Sequence, residues 1–200
     1  MKYNLRKTLL YAFVFGLISI IVTYIFIYNY YKKSVSESEL EEIVLTINSA
    51  DTISSDFIKV YCEVNNIDIS NSTNNFLFSL PYNMLIGNYS DRCPCLDANY
   101  GLFVWNSLER ISLGIQLDDK IGSKKCLDYY LYNIDFTNNV IGVINASQAL
   151  YNKEINDLNK IEMIELSMIS KNPSLYNKKK RPDLVKARLN ELLKRIDSKN

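Results

Sequence analysis

The chain opens on an uncharged, almost wholly apolar run, Thr8 to Tyr31, TLLYAFVFGLISIIVTYIFIYNYY. Crossing the hydrocarbon core of a bilayer takes about 20 such residues, so the run predicts a transmembrane helix. Its length, and the lack of a small-residue cleavage site after it, favour an uncleaved anchor over a signal peptide. Tyr24, Tyr28, Tyr30 and Tyr31 crowd one end, as an interfacial aromatic belt does. Beyond it the pattern changes to short amphipathic periods. Ser34 to Ser38 is a polar linker and helix start, and Leu40, Ile43, Val44 and Ile47 recur at helical spacing, predicting a helix that packs on the domain. Ser54 or Ser55 can cap a further helix carrying Phe57, Ile58, Val60 and Tyr61. The Asn- and Ser-rich stretch from Asn65 to Ser90 reads as a long loop with a short strand from Phe76 to Leu80. Leu108, Ile111, Ile115 and Leu117 then mark one face of another helix.

The second half is more strongly patterned. Leu127, Tyr130 and Leu131 fall at helical spacing, Asn138-Asn139 interrupt it, and Val140, Ile141, Ile144 and Leu150 resume it. Asp157 is the expected N-cap of a helix bearing Ile161, Ile164, Leu166, Met168 and Ile169, stopped by Asn172-Pro173. A helix apolar over most of its surface belongs inside a bundle. Pro182 and Asp183 open a last amphipathic helix through Leu184, Val185, Leu189, Leu192 and Leu193. The expectation is a mainly α chain: a cytoplasmic N-terminus over 1–7, a transmembrane helix over 8–31, a linker and amphipathic helix over 32–53, and one helical domain over 54–197.

Composition narrows the chemistry. The 23 Lys and Arg against 22 Asp and Glu leave a formal charge of +1, which argues against nucleic acid as the main partner. There is no histidine, so Ser-His-Asp and Cys-His catalysis and histidine metal sites are excluded; carboxylates, lysines, tyrosines and cysteines remain. Lys2, Arg6 and Lys7 precede the span, and Lys32 and Lys33 are soon offset by Glu37, Glu39, Glu41 and Glu42, so the positive-inside rule places the domain outside the cytoplasm. The four cysteines, Cys62, Cys93, Cys95 and Cys126, then allow one or two disulfides in any of three full pairings, while their spacing is poor for zinc. No metal and no cofactor is expected.

The residues from Asp128 to Asn177 resemble the bacterial peptidoglycan glycosyltransferases, glycosyltransferase family 51, whose members carry E-x-Y-L-N-x-x-x-F-G-x-x-x-x-G-x-x-x-A-A-x-x-Y-F-x-K, then L-T-x-x-E-A-A and P-x-x-Y-N-P. Here Asp128, Tyr130, Leu131, Phe136, Gly142, Ala146, Tyr151 and Lys153 answer without a gap, followed by Leu158, Glu162, Pro173, Tyr176 and Asn177. Tyr132, Thr137 and Ser147 depart from the pattern. Ala98 and Leu102 to Trp105 are similar to the family's A-K-N-L-F-L-W, and NSLERISLGIQLDD to its R-K-x-x-E-A-x-x-A-x-x-L-E. The resemblance implies a lysozyme-like helical domain.

The family joins lipid-linked disaccharides: a sugar 4-hydroxyl displaces a diphosphate-lipid, with one carboxylate taking the hydroxyl proton and a second helping the diphosphate leave. The resemblance puts the second carboxylate on Glu109, or in the ungapped register on Arg110. The first falls on Asn65, an amide that cannot take the proton; Glu63, about 200° round the helix, is the nearest carboxylate. Cys93, Pro94 and Cys95 stand where the family has Gly-Ser-Thr, and Asn106-Ser107 replace its Arg-Lys pair. Glu109 and Glu63 are therefore the candidate catalytic residues, and Lys153, Arg110 and Arg188 the candidate substrate-binding ones. Lys178 to Arg181 is a basic cluster suited to anionic lipid head groups or a diphosphate, or else a solvated turn. The resemblance implies a single-pass protein of the bacterial cytoplasmic membrane, its domain facing the periplasm or cell exterior, with the bilayer, a lipid-linked disaccharide or glycan strand, and other cell-wall synthesis proteins as partners. Its activity is expected to be weakened or lost, with a tethered, non-catalytic binding or scaffold protein as the alternative.

Overall fold

The apolar run forms one long helix, α1 (Lys2–Asn29), which breaks into a 3-10 turn at Tyr30–Lys33. Mean hydropathy reaches 2.5 along it and none of its apolar stretch is buried by the rest of the chain, so it is the membrane-spanning helix of the fold. The computed structural model describes residues 2–70, 73–78, 93–98, 106–137 and 139–198. After the 3-10 turn, Ser36 starts α2 (Glu37–Ser49) with a reciprocal cap: its hydroxyl accepts the Glu39 N–H, and the Glu39 carboxylate accepts the Ser36 N–H at 2.7 Å. Then come α3 (Ser55–Asn65), α4 (residues 73–78), α5 (Pro94–Ala98), α6 (Ser107–Ile121), α7 (Ser123–Asn133), α8 (Val143–Tyr151), α9 (Lys160–Lys171) and α10 (Pro182–Asp197). Among the described residues the sole β feature is an isolated antiparallel bridge, Asp135 to Ile141, so the architecture is mainly α.

Two apolar clusters hold these helices. One gathers Phe57 and Tyr61 of α3, Leu131 of α7, Val143 of α8, Leu166 of α9 and Leu192 of α10. The other joins Tyr31, Leu40 and Ile47 to Cys95, Leu113, Leu117 and Cys126. Helix α7 serves both: Leu127 and Leu131 face the first cluster, and Cys126 faces the second, where it forms a disulfide with Cys95 of α5. Asp128, on the same helix and buried, accepts the Ile53 N–H at 3.2 Å just before α3 and pairs with Lys124 at 3.0 Å. A buried carboxylate held this way fixes the start of α3 to the middle of α7.

Local chain ends follow from residue type. Asn66 (φ 52°) and Asn152 (φ 54°) close α3 and α8 in the left-handed region, which asparagine tolerates best after glycine. Gly142 enters α8 at φ 81°, ψ 153°, and a Cβ there would overlap the Tyr132 carbonyl.

Three expectations need correction. Residues 76–78 belong to helix α4 and not to a strand, because Phe76 packs sideways into the second cluster; Ser79 and Leu80 lie outside the described residues. Helix α9 is capped by Asn159, not Asp157, since Asn159 forms the reciprocal box with Glu162 while Asp157 ends a 3-10 turn. On α6 burial spans Glu109 and every position from Ser112 to Leu117, while Leu108 and Ile111 are half-buried, because α6 is packed by α1, α5 and α7 on several sides. The disulfide left open by spacing alone is Cys95 to Cys126; Cys93 and Cys62 are free thiols. Burial, with Asp68 adding to it, pushes the Cys62 thiol up to about 11, and burial also raises Cys93, so neither is a ready thiolate nucleophile.

Candidate functional site

Glu109 sits in the first turn of α6, only 4% exposed. Asn106 builds this position: its side-chain oxygen caps the Glu109 N–H at 2.9 Å, and its amide donates back to Glu109 Oε1 at 2.8 Å. The other oxygen, Oε2, is buried and finds no hydrogen-bond partner among the described residues. The unpaired N–H groups of a helix's first turn favour an anionic side chain. A dry carboxylate with one oxygen held and one open can receive or deliver a proton, or face a developing charge.

Arg110, the next residue, points the other way. Its guanidinium donates to the Leu96 carbonyl at 3.3 Å, which ties the first turn of α6 to α5. Gly114, one turn further on, lets α5 approach closely: a Cβ there would come within 2.8 Å of Leu96. Helix α5 in turn forms one wall of a cleft of about 530 Å³, completed by the C-terminal ends of α7 and α9. Asp97, Tyr129, Tyr130, Asn133, Asp135 and Lys171 line it. Aromatic rings beside carboxylates, an amide and an ammonium suit a polyhydroxylated ligand. Glu109 does not line this cleft, but the helix it starts is fastened to the cleft's α5 wall.

The remaining sequence candidates are spread over other elements. Glu63 lies half-buried in the last turn of α3, where its main-chain carbonyl accepts from Arg195 of α10 at 3.2 Å. Helix α3 packs chiefly on α9, and α6 on α1 and the 3-10 turn, so Glu63 and Glu109 lie on helices that feed different apolar clusters. Asn65 is buried with its amide turned into the α3–α9 interface, donating to the carbonyls of Tyr61 at 3.0 Å and Ser167 at 3.3 Å. Lys153 follows α8 and is paired with both oxygens of Glu162, at 2.8 and 2.9 Å. Arg188 pairs with Glu191 within α10.

The basic run divides. All four residues are exposed, but Lys178 also reaches the buried Glu165 at 2.8 Å. Glu165 also accepts the Tyr151 hydroxyl at 2.8 Å, and burial together with the Glu165 charge raises the Tyr151 phenol far above its ordinary value, so it remains a donor. Sequence reasoning did not find this Tyr151–Glu165–Lys178 network. A polar residue on the most buried face of α9 was the available signal.

Fold and site together define a membrane-anchored helical domain with a buried carboxylate at a helix start and a polar, aromatic cleft nearby. Residues 103–197, which contain α6 to α10, match the family described as Transglycosylase. The chain is similar to penicillin-binding protein 4 of Bacillus subtilis (strain 168), 36% identical over 87 residues, 44% of this chain and 14% of that protein. Penicillin-binding protein 1A of Pseudomonas aeruginosa is 30% identical over 89 residues, 44% of this chain and 11% of that protein. Penicillin-binding protein 1F of Bacillus subtilis is 33% identical over 85 residues, 42% of this chain and 12% of that protein. Residues 103–197 are thus similar to the Transglycosylase family. The matched stretch spans no more than about a seventh of those relatives' length. Glu109, Arg110, Lys153 and Arg188 fall inside residues 103–197; Glu63 and Asn65 do not.

Proposed function

We propose that this protein is a membrane-anchored, peptidoglycan glycosyltransferase-like protein that engages lipid-linked disaccharide, with transfer weakened relative to a two-carboxylate site. The observation that carries the reading is Glu109: a buried carboxylate with one free oxygen, in the family-matched segment, at the position the resemblance gives to the carboxylate that assists diphosphate departure. The cleft beside α5 offers the sugar a seat of Tyr129, Tyr130, Asn133 and two aspartates. Arg110, Lys153 and Arg188 are the cations proposed for the diphosphate, each leaving its present partner, Leu96, Glu162 or Glu191, to meet it, and Glu63 is the nearest carboxylate in sequence to the place of the missing base. The domain works outside the cytoplasm at the bacterial cytoplasmic membrane: α1 is the anchor, and a disulfide suits an oxidising compartment.

A second reading, a tethered binding protein for the lipid precursor or for cell-wall synthesis enzymes, is favoured by Asn65. Its amide is committed to main-chain carbonyls and cannot act as a general base. Retention of labelled lipid-linked disaccharide by the immobilised full-length protein in detergent, washed free of unbound lipid and followed over time for release of lipid diphosphate, separates the readings. Retention with slow release that Glu109→Gln abolishes supports the transferase; retention without release supports the binder; absence of retention refutes both.

A further inference from the structure

The end of α1 is gripped by α6. The last carbonyls of a helix have no intrahelical partners, and near a membrane exit they must find others. The Tyr28 carbonyl accepts the Ser112 hydroxyl at 3.2 Å and the Gln116 amide at 3.1 Å. The Ser112 oxygen in turn accepts the Tyr31 N–H at 2.8 Å, just where the helix tightens into its 3-10 turn. Tyr31, Ser112 and Gln116 are all buried. A second contact lies one turn deeper along the span: the Tyr24 hydroxyl donates to Asn74 at 3.1 Å and its ring stacks on Phe78, centroids 6.1 Å apart. Helix α4, which carries Asn74 and Phe78, is itself held by α6, since the Thr73 N–H donates to Asp118 at 2.5 Å.

Glu109, Ser112 and Gln116 occupy positions i, i+3 and i+7, hence one face of α6, and Glu109 stands about 4.5 Å along the axis from Ser112. We propose that Ser112 and Gln116 are positioning residues, which lock the first turn of α6 at a fixed height and angle to the bilayer surface through the Tyr28 carbonyl and the Tyr31 amide. The membrane helix and Glu109 then form one rigid unit, and the carboxylate is presented to a diphosphate that is itself confined to the lipid surface. The functional half of this inference rests on the reading of Glu109 given above; the mechanical half does not.

The test uses full-length protein in lipid nanodiscs, with nitroxides carried on unnatural ketone side chains at the exposed positions of Tyr11 and Lys120, so that the native cysteines are untouched. The native clamp predicts a narrow distance distribution that broadens in Gln116→Leu, and further in Ser112→Ala/Gln116→Leu, with cooperative melting retained. A broad native distribution, or one equally narrow in Gln116→Leu, overturns the proposal. Should the double variant fail to fold, Gln116→Leu alone decides. In parallel, transfer from bilayer-embedded lipid-linked disaccharide falls in Gln116→Leu by up to on the order of a hundredfold, as expected of a misplaced reacting group. Transfer from a short-chain, water-soluble donor in detergent stays near native. Equal losses with both donors indicate a structural role and overturn the positioning role. If Glu109→Gln leaves transfer intact, the Glu109 reading fails, and the distance measurement still decides the clamp.

Discussion

Asp128 and Gly142 show how much of the fold hangs on single residues. Asp128 is buried against Lys124 and the Ile53 N–H, so Asp128→Ala leaves that N–H without its partner and detaches the start of α3 from α7. Denaturant unfolding is expected to report a loss of about 1–3 kcal/mol. Gly142 adopts φ 81°, ψ 153°, a region that only glycine enters freely, and its neighbour is the Tyr132 carbonyl. Gly142→Ala should cost about 1–3 kcal/mol from backbone strain, and more if the carbonyl cannot move. Both residues were legible in the sequence as matches to a family pattern, but their reasons were not. The Asp128 partner lies 75 residues away, and the carbonyl that forbids a side chain at Gly142 comes from α7. Ser112 and Gln116 carried no signal at all, since the groups they bind are 81 to 88 residues distant on a helix that reads as a simple anchor. Glu109 is a candidate in the sequence only through the spacing of its neighbours; its burial and its open oxygen are properties of packing.

Whole helices were easier to read than their ends. The apolar periods correctly indicated α2, α3 and α7 to α10, because each repeats at helical spacing between polar breaks. The N-cap of α9 was misplaced by two residues, since Asp157 and Asn159 are both good caps and only the position of Glu162 decides between them. That carboxylate carries a testable pH dependence. The Lys153 ammonium, then the Asn159 N–H, hold Glu162 below the usual carboxylate range. The folded state therefore favours the charged form more than the unfolded chain does. Its stabilisation is complete above the unfolded value of about 4.3 and is lost as pH falls through the lower folded value. The melting temperature of the native protein should exceed that of Glu162→Gln near neutral pH, and the gap should close in acid. Between α5 and α7 the disulfide joins residues 31 apart. Cys95→Ser/Cys126→Ser should lose about 3–4 kcal/mol through the loop it frees. A native-like melting curve for that variant would show that the two apolar clusters suffice without the link.

Among the described residues the molecule is one membrane-spanning helix continuous with a set of helices, of which α6 to α10 lie in the stretch that matches the Transglycosylase family. The anchor, the mainly α class and the family were all legible, since hydropathy and spacing survive divergence. The tie between anchor and domain was not, because it depends on a few polar groups meeting across the fold. On the function proposed above, Glu109 is the carboxylate on which transfer depends, and the tie between α1 and α6 is what would hold it close to the membrane. The most direct test is glycan-chain formation by the full-length protein in bilayers supplied with lipid-linked disaccharide, beside Glu109→Gln. Slow polymer formation by the native protein, lost in Glu109→Gln while precursor is still retained, is the predicted result. Polymer formed at the same rate by Glu109→Gln, or a native protein that neither forms polymer nor retains the precursor, would contradict it.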